Sequence, residues 1–307
     1  MGRAFARLIH QQHRDFPFRI AGIHTARHGT ALNPAGADPV FGPAASSVEE
    51  FLHAAKADAL VEVTPLNPAT GEPAIAHIRA AFARRMHAVT ANKGPIAHAY
   101  AALQEEADRA GVVFRFEATV MDGTPVFSLV RKNLPGVRIL GFTGALNSTT
   151  KVIIEAMRSG RSFEEGIATA IRLGITEADA SFDIDGWDSA AKTAALANVL
   201  MDARITPQQV DTRGIGRLTP ERVAELAAKG KTAVLISRAR RNKEGVKLRV
   251  RAEVLPDNDP LATLRGTSNL LLLHTDLMGT IGVLSVSPGV EQTAYGVFSD
   301  LVDIGIR

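Results

Sequence analysis

Between Gly174 and Lys192 the chain carries Glu177, Asp179, Asp183, Asp185 and Asp188, followed by Lys192, and the flanking segments read as buried helices. Carboxylates spaced this closely repel one another, so the cluster is costly unless a cation or a ligand ammonium group sits among them. A helix opening at Gly186 or Trp187 places Asp188 and Lys192 four residues apart, on one face. The chemistry such a set supports is capture of a cationic group by carboxylates and movement of a proton by a lysine.

Two plainer readings compete. A solvated acidic loop is the commonest fate of a run like this one. A calcium loop of the EF-hand type would put Asp183, Asp185 and Gly186 at its third, fifth and sixth positions. That frame leaves Lys192 at the twelfth, where a bidentate Glu is required, and an ammonium group cannot ligate calcium. The EF-hand is therefore rejected.

The stretch resembles the signature of the homoserine dehydrogenases, Gly-Tyr-x-Glu-x-Asp-Pro, an acidic pair, Gly-x-Asp, and Lys four residues on. Glu177, Asp179, Asp183, Gly186, Asp188 and Lys192 match it in order and spacing, while Ile175 and Ala180 stand in place of its Tyr and Pro. A second resemblance is Asn92-Lys93-Gly94-Pro95 after an apolar strand, and a third is the hinge-like run Glu117 to Pro125. Asn147-Ser-Thr-Thr150 is similar to the family's Asn-Gly-Thr-Thr-Asn segment, with Ser148 and Lys151 replacing its Gly and second Asn.

The resemblance implies an enzyme interconverting L-homoserine and L-aspartate 4-semialdehyde with a nicotinamide cofactor, in threonine and methionine biosynthesis. It implies that Glu177 and Asp183 hold the substrate ammonium, that Asp188 lies near the hydroxyl end, and that Lys192 acts as acid and base. Lys93 would lie by the nicotinamide and polarise the reacting oxygen. Carbonyls in the loop of Glu117, Val120, Asp122 and Thr124 would bind a monovalent cation, although an ordinary turn at Gly123 and Pro125 explains that loop equally well. Gly289, before Thr293-Ala294, fits a turn that touches the nicotinamide, whereas Ser285, Ser287 and Pro288 depart from its glycine-rich pattern. A homodimer of short form, without a C-terminal regulatory domain, is also implied. Two alternatives stay open: a family member that has lost catalysis and acts as a binding or regulatory protein, and a reductase of another amino-acid semialdehyde. Semialdehyde chemistry through a thiol is excluded, because the chain has no Cys.

The elements around these residues alternate as an α/β chain does. Met1 to His13 reads as an amphipathic helix with Phe5, Leu8 and Ile9 on one face, but no strand precedes it. A dinucleotide-binding unit opens with strand, Gly-x-Gly-x-x-Gly and helix, so only the last glycine, Gly2, is present and the chain reads as starting about ten residues late. A gap in the sheet beside Gly2 and weak dinucleotide binding are expected from this. Strands follow at 18–25, 59–64, 87–90 and 112–120, with a capped helix after Ser46 and Ser47. Ligands of such sheets bind beyond the carboxyl ends of the strands, which is where Thr64 and Lys93 fall. The absence of an acid between Ile20 and Ala37, with Arg27 and His28 there instead, favours NADP(H) over NAD(H).

Later segments read as helices followed by paired strands, an α+β domain with an open sheet. The expected division is a Rossmann-type nucleotide-binding domain over 1–136, completed by a helix over 291–307, and a catalytic and dimerisation domain over 137–290. With 307 residues, 46% of them hydrophobic, the chain can bury two cores. Its 35 basic and 32 acidic residues are interspersed, which argues against nucleic acid, and no apolar run is long enough to span a membrane. No signal peptide is visible, so the cytoplasm is the expected location.

Overall fold

The computed structural model describes residues 1–34, 39–176 and 179–305. They divide into two compact units, one of Met1–Pro95, Ala99–Pro125 and the segment from Val290 on, the other of Ile96–His98 and Val126–Gly289.

The first unit opens with α1 (Gly2–Gln11), which buries Ala4, Phe5, Ala6 and Ile9. β1 (Gly22–Thr25) pairs antiparallel with β2 (Gly29–Leu32), a hairpin the sequence reading did not contain. Its cause is local. Thr25 Oγ1 accepts from His28 N at 2.9 Å, and Gly29 turns the chain at φ +88°, where a Cβ would lie 2.1 Å from the Gly42 carbonyl oxygen. α2 (Val48–Ala55) is capped as its sequence predicts: Ser47 Oγ accepts from Glu50 N, and Glu50 Oε2 accepts from Ser46 N at 2.7 Å. β3 (Ala59–Glu62), α3 (Ala74–Ala83), β4 (His87–Thr90), α4 (Lys93–Ala110) and β5 (Phe114–Arg115) complete the alternation, and β3, β4 and β5 form a parallel sheet. β1 does not join that sheet.

β5 is far shorter than the strand expected over 112–120. Asp300 Oδ2, buried, accepts from Glu117 N at 2.7 Å, and Thr119 Oγ1 donates to Phe116 O. With the Glu117 amide drawn to Asp300 and Thr119 N donating to Phe116 O at 3.1 Å, Glu117–Thr119 closes into a 3₁₀ turn instead of extending the ladder.

The second unit begins with β6 (Ile139–Ala145), followed by α5 (Ser148–Arg158), α6 (Phe163–Arg172), α7 (Ser181–Ile184) and α8 (Trp187–Met201). A short β7 (Asp211–Thr212) and α9 (Pro220–Ala228) lead to the long hairpin β8 (Lys231–Asn242) and β9 (Gly245–Pro256), then β10 (Asn269–Thr275) and β11 (Thr280–Ser285). The sheet runs β11-β10-β6-β8-β9-β7, antiparallel except where β7 joins β9. The fold class is as expected: a Rossmann-type α/β unit and an α+β unit with an open sheet. α10 (Val290–Gly305) returns to the first unit, where Ala294, Val297 and Phe298 pack with Ala4, Phe5 and Ile9 of α1. Among the described residues no helix is long and apolar enough to cross a membrane.

One carboxyl on α5 is poorly served. Glu155 Oε1 is buried without a hydrogen-bond partner, with Arg265 Nε 3.8 Å away, and burial pushes its pKa up. A raised carboxyl pKa means the folded chain binds the proton more tightly than the unfolded one, so stability falls as pH rises through this window. Glu155→Gln is therefore expected to raise Tm by about 1–2 °C near pH 7 and to give no gain near pH 4, by calorimetry at both.

Candidate active site

The carboxylate–lysine site is assembled in the second unit where β6 ends and α5 begins. Asn147 caps α5, its Oδ1 accepting from Thr150 N at 2.9 Å. The Nδ2 group of the same residue donates to Asp183 Oδ1 at 2.6 Å and to Asp188 Oδ2 at 3.0 Å. Asp183 Oδ2 accepts from Thr149 Oγ1 at 2.8 Å and from Thr176 Oγ1 at 2.9 Å. Lys192, one turn after Asp188 on α8, lies 3.1 Å from Asp188 Oδ2 and donates to Leu146 O at 2.8 Å. Both side chains of the ion pair are largely buried, 17% and 12% exposed, so solvent and salt screen it little.

Close backbone contact fixes α7 and hence Asp183. Ile215 N donates to Ile184 O at 2.8 Å, and a Cβ on Gly214 would fall 1.8 Å from that carbonyl oxygen, so only glycine allows the approach. α8 starts immediately afterwards at Gly186, which places Asp188 in its first turn, where the helix dipole favours a carboxylate.

Of the residues expected to act together, Asp183, Asp188 and Lys192 are brought together. Asp179 and Asp185 are exposed; Asp179 accepts from Ser181 N at 2.9 Å, a backbone bond that lowers its pKa. Glu177 lies outside the described residues. Thr176 and the Leu146 carbonyl meet these residues without any sequence signal, whereas Asn147 and Thr149 lie in the run that resembles a family segment but carries no site role from sequence. The available signal was the Asn-x-Thr-Thr run itself, which reads equally well as a helix cap.

In the first unit, Thr64 and Lys93 sit at the carboxyl ends of the parallel strands. Glu62, 2% exposed, joins those ends: Oε1 accepts from Thr64 N at 2.8 Å and Thr64 Oγ1 at 2.5 Å, and Oε2 from Thr90 Oγ1 at 2.7 Å. Asn92 caps α4 through Gly94 N and donates Nδ2 to Thr64 O at 3.2 Å, which sets Lys93 as the first residue of that helix. α1, starting at Gly2, has no side-chain cap and no acid in its first turn, so its own sequence leaves its terminal amides uncapped. Gly2 lies beside Val63 at the end of β3, and dinucleotides bind at strand ends of this kind in parallel α/β folds. Gly289 is the last residue of the second unit, and Ser287 before it adopts φ +46° where the family pattern has glycines.

In the loop expected to bind a cation, Glu117 is buried, Asp122 has φ +52°, and Thr124 N donates to Met121 O at 2.9 Å. Val120 is buried as well. Among the described residues no group of three or more His, Cys, Asp or Glu is placed to hold a metal ion.

A parallel α/β unit with its strand ends open, carried on one chain with an α+β unit bearing a lysine–carboxylate pair, is the make-up of a dinucleotide-dependent oxidoreductase. Two family models match, that of the homoserine dehydrogenase NAD-binding domain over residues 1–117 and that of homoserine dehydrogenase over 125–302. The chain belongs to the homoserine dehydrogenase family. It is 41% identical over 249 residues to the homoserine dehydrogenase of Methanocaldococcus jannaschii, covering 81% of this chain and 73% of that protein. It is 32% identical to the NAD(+)-dependent homoserine dehydrogenase of Pseudomonas canavaninivorans, covering 99% and 93%. A hyperthermophilic archaeal homoserine dehydrogenase in complex with NADPH superposes with a TM-score of 0.85 at 25% identity, covering 100% and 94%. None of these relatives supports a binding or regulatory protein without catalysis.

Proposed function

We propose that the chain interconverts L-homoserine and L-aspartate 4-semialdehyde, a step towards threonine and methionine, and that Asp183, Asp188 and Lys192 are its working groups. The observation that carries this is the pairing of Lys192 with Asp188 at 3.1 Å beside Asp183, in a chain of this family. A bound nicotinamide dinucleotide supplies the hydride acceptor, leaving the protein to bind the amino acid and to move its hydroxyl proton. Lys192 takes that proton in oxidation and returns it in reduction, with Asp188 opposite it to stabilise the ammonium form. Asp183, with Glu177, binds the substrate ammonium. Lys93, Thr64, Gly2 and Gly289 are assigned to the dinucleotide, Lys93 at its nicotinamide end.

NADP(H) is the preferred cofactor in this reading, supported by the exposed Arg27 and His28 between β1 and β2. A monovalent cation is assigned to the Glu117, Val120, Asp122 and Thr124 loop, through its carbonyls. The enzyme is read as a cytoplasmic homodimer, for which Leu140, Val254 and Leu284, exposed on the second unit's sheet, offer apolar surface.

The ammonium grip makes a direct prediction. Butan-1-ol, which has a terminal hydroxyl but no amine, is expected to turn over with kcat/KM at least about 1,000-fold below homoserine, as loss of a charge-assisted contact and of positioning requires. Comparable rates for the two alcohols in the same nicotinamide-reduction assay would contradict the assignment. Running it with NADP+ and NAD+ in parallel tests the cofactor preference.

A further inference from the structure

We infer that Asn147 is a positioning residue whose single amide group holds the Asp183 and Asp188 carboxylates together and, through Asp188, fixes the ammonium group of Lys192. This rests on the reading that Lys192 moves the substrate proton. The amide of asparagine has two donors and an acceptor, and all of them are engaged. Nδ2 donates to Asp183 Oδ1 at 2.6 Å and to Asp188 Oδ2 at 3.0 Å, while Oδ1 accepts from Thr150 N at 2.9 Å.

The Asp188 Oδ2 atom that Nδ2 meets is the same one that faces Lys192 Nζ at 3.1 Å. The second contact of Lys192, at 2.8 Å, is the carbonyl of Leu146, the residue next to Asn147. Two consecutive residues thus hold Lys192, one directly and one through Asp188. Asn147 is 3% exposed, so water cannot easily replace its donors. Without them Asp183 and Asp188 lose the donor they share and repel one another more strongly, and Asp188, still paired with Lys192, is no longer tied to the start of α5 through Asn147.

The residue type is informative because capping alone does not require it. Ser and Asp cap helices about as well as Asn, yet neither can cap with one atom and donate two bonds with another. Asn147→Ser keeps a capping oxygen and removes the donors. Asn147→Asp keeps cap and size but adds a third carboxylate.

With homoserine as substrate, Asn147→Ser is expected to lower kcat roughly 30-fold and Asn147→Asp more, with KM for the cofactor changed less than about twofold. Independently of turnover, loosening the ion pair should raise the acylation rate of Lys192 by a limiting amine reagent about fivefold relative to Lys231, read by peptide mass spectrometry. If Asn147→Ser does not fold, the isosteric Asn147→Asp decides by the same two readouts. Wild-type kcat and unchanged Lys192 labelling in the folded variants would overturn the inference. A wild-type chain inactive on homoserine, with labelling changed in the variants, would instead overturn the proposed reaction and leave the positioning role standing.

Discussion

Lys192→Ala is expected to lower kcat by about 100-fold or more while the cofactor still binds, because it removes the group proposed to exchange the hydroxyl proton. The ammonium is held by the Leu146 carbonyl and the Asp188 carboxylate. Alanine leaves Asp188 with Asn147 Nδ2 as a remaining donor, so the fold should tolerate the change. Lys192→Arg separates two roles. Arginine retains the charge and can pair with Asp188 but does not deprotonate in a protein, so it cannot act as a base. Both variants should be nearly inactive if proton transfer matters. A Lys192→Arg enzyme within a few-fold of wild type would reduce Lys192 to an ion-pair partner.

Asp183→Asn should raise KM for homoserine by about 10- to 100-fold, the usual range for losing a hydrogen bond between charged groups, with a smaller change in KM for the cofactor. The substitution is chosen because it can keep the local bonds. The asparagine Oδ1 can accept from Asn147 Nδ2, and its Nδ2 can donate to the Thr149 and Thr176 hydroxyls, which accept as readily as they donate. Charge is then the main loss. Asp183→Ala strands three donors instead and should also lower Tm, so steady-state kinetics and thermal melts of the pair separate substrate capture from architecture.

Parts of this site could be read from the chain and parts could not, for reasons of distance. Asp188 and Lys192 share a helix face by spacing alone, and the ion pair is where that spacing puts it. The partners of Asp183 come from elsewhere: Asn147 and Thr149 precede it by 36 and 34 residues. Asn147 gives a helix-cap signal because Thr150 N is three residues on, whereas its other face meets carboxylates only once α7 packs against α5 and α8 follows α7. The same limit explains two misread elements. The 112–120 run has strand composition, but Asp300, 183 residues later, captures the Glu117 amide and ends the strand early. Residues 18–25 contain a strand, but its partner is set by the turn at Gly29 rather than by the alternation that organises β3, β4 and β5.

The most direct test of the account is the absorbance of reduced nicotinamide when the purified 307-residue chain meets L-homoserine and NADP+ or NAD+. The expected result is homoserine-dependent reduction with one aldehyde formed per reduced cofactor, abolished in Lys192→Arg. Homoserine-dependent reduction that persists undiminished in Lys192→Arg, or none at all in the wild-type chain with either cofactor, would contradict it.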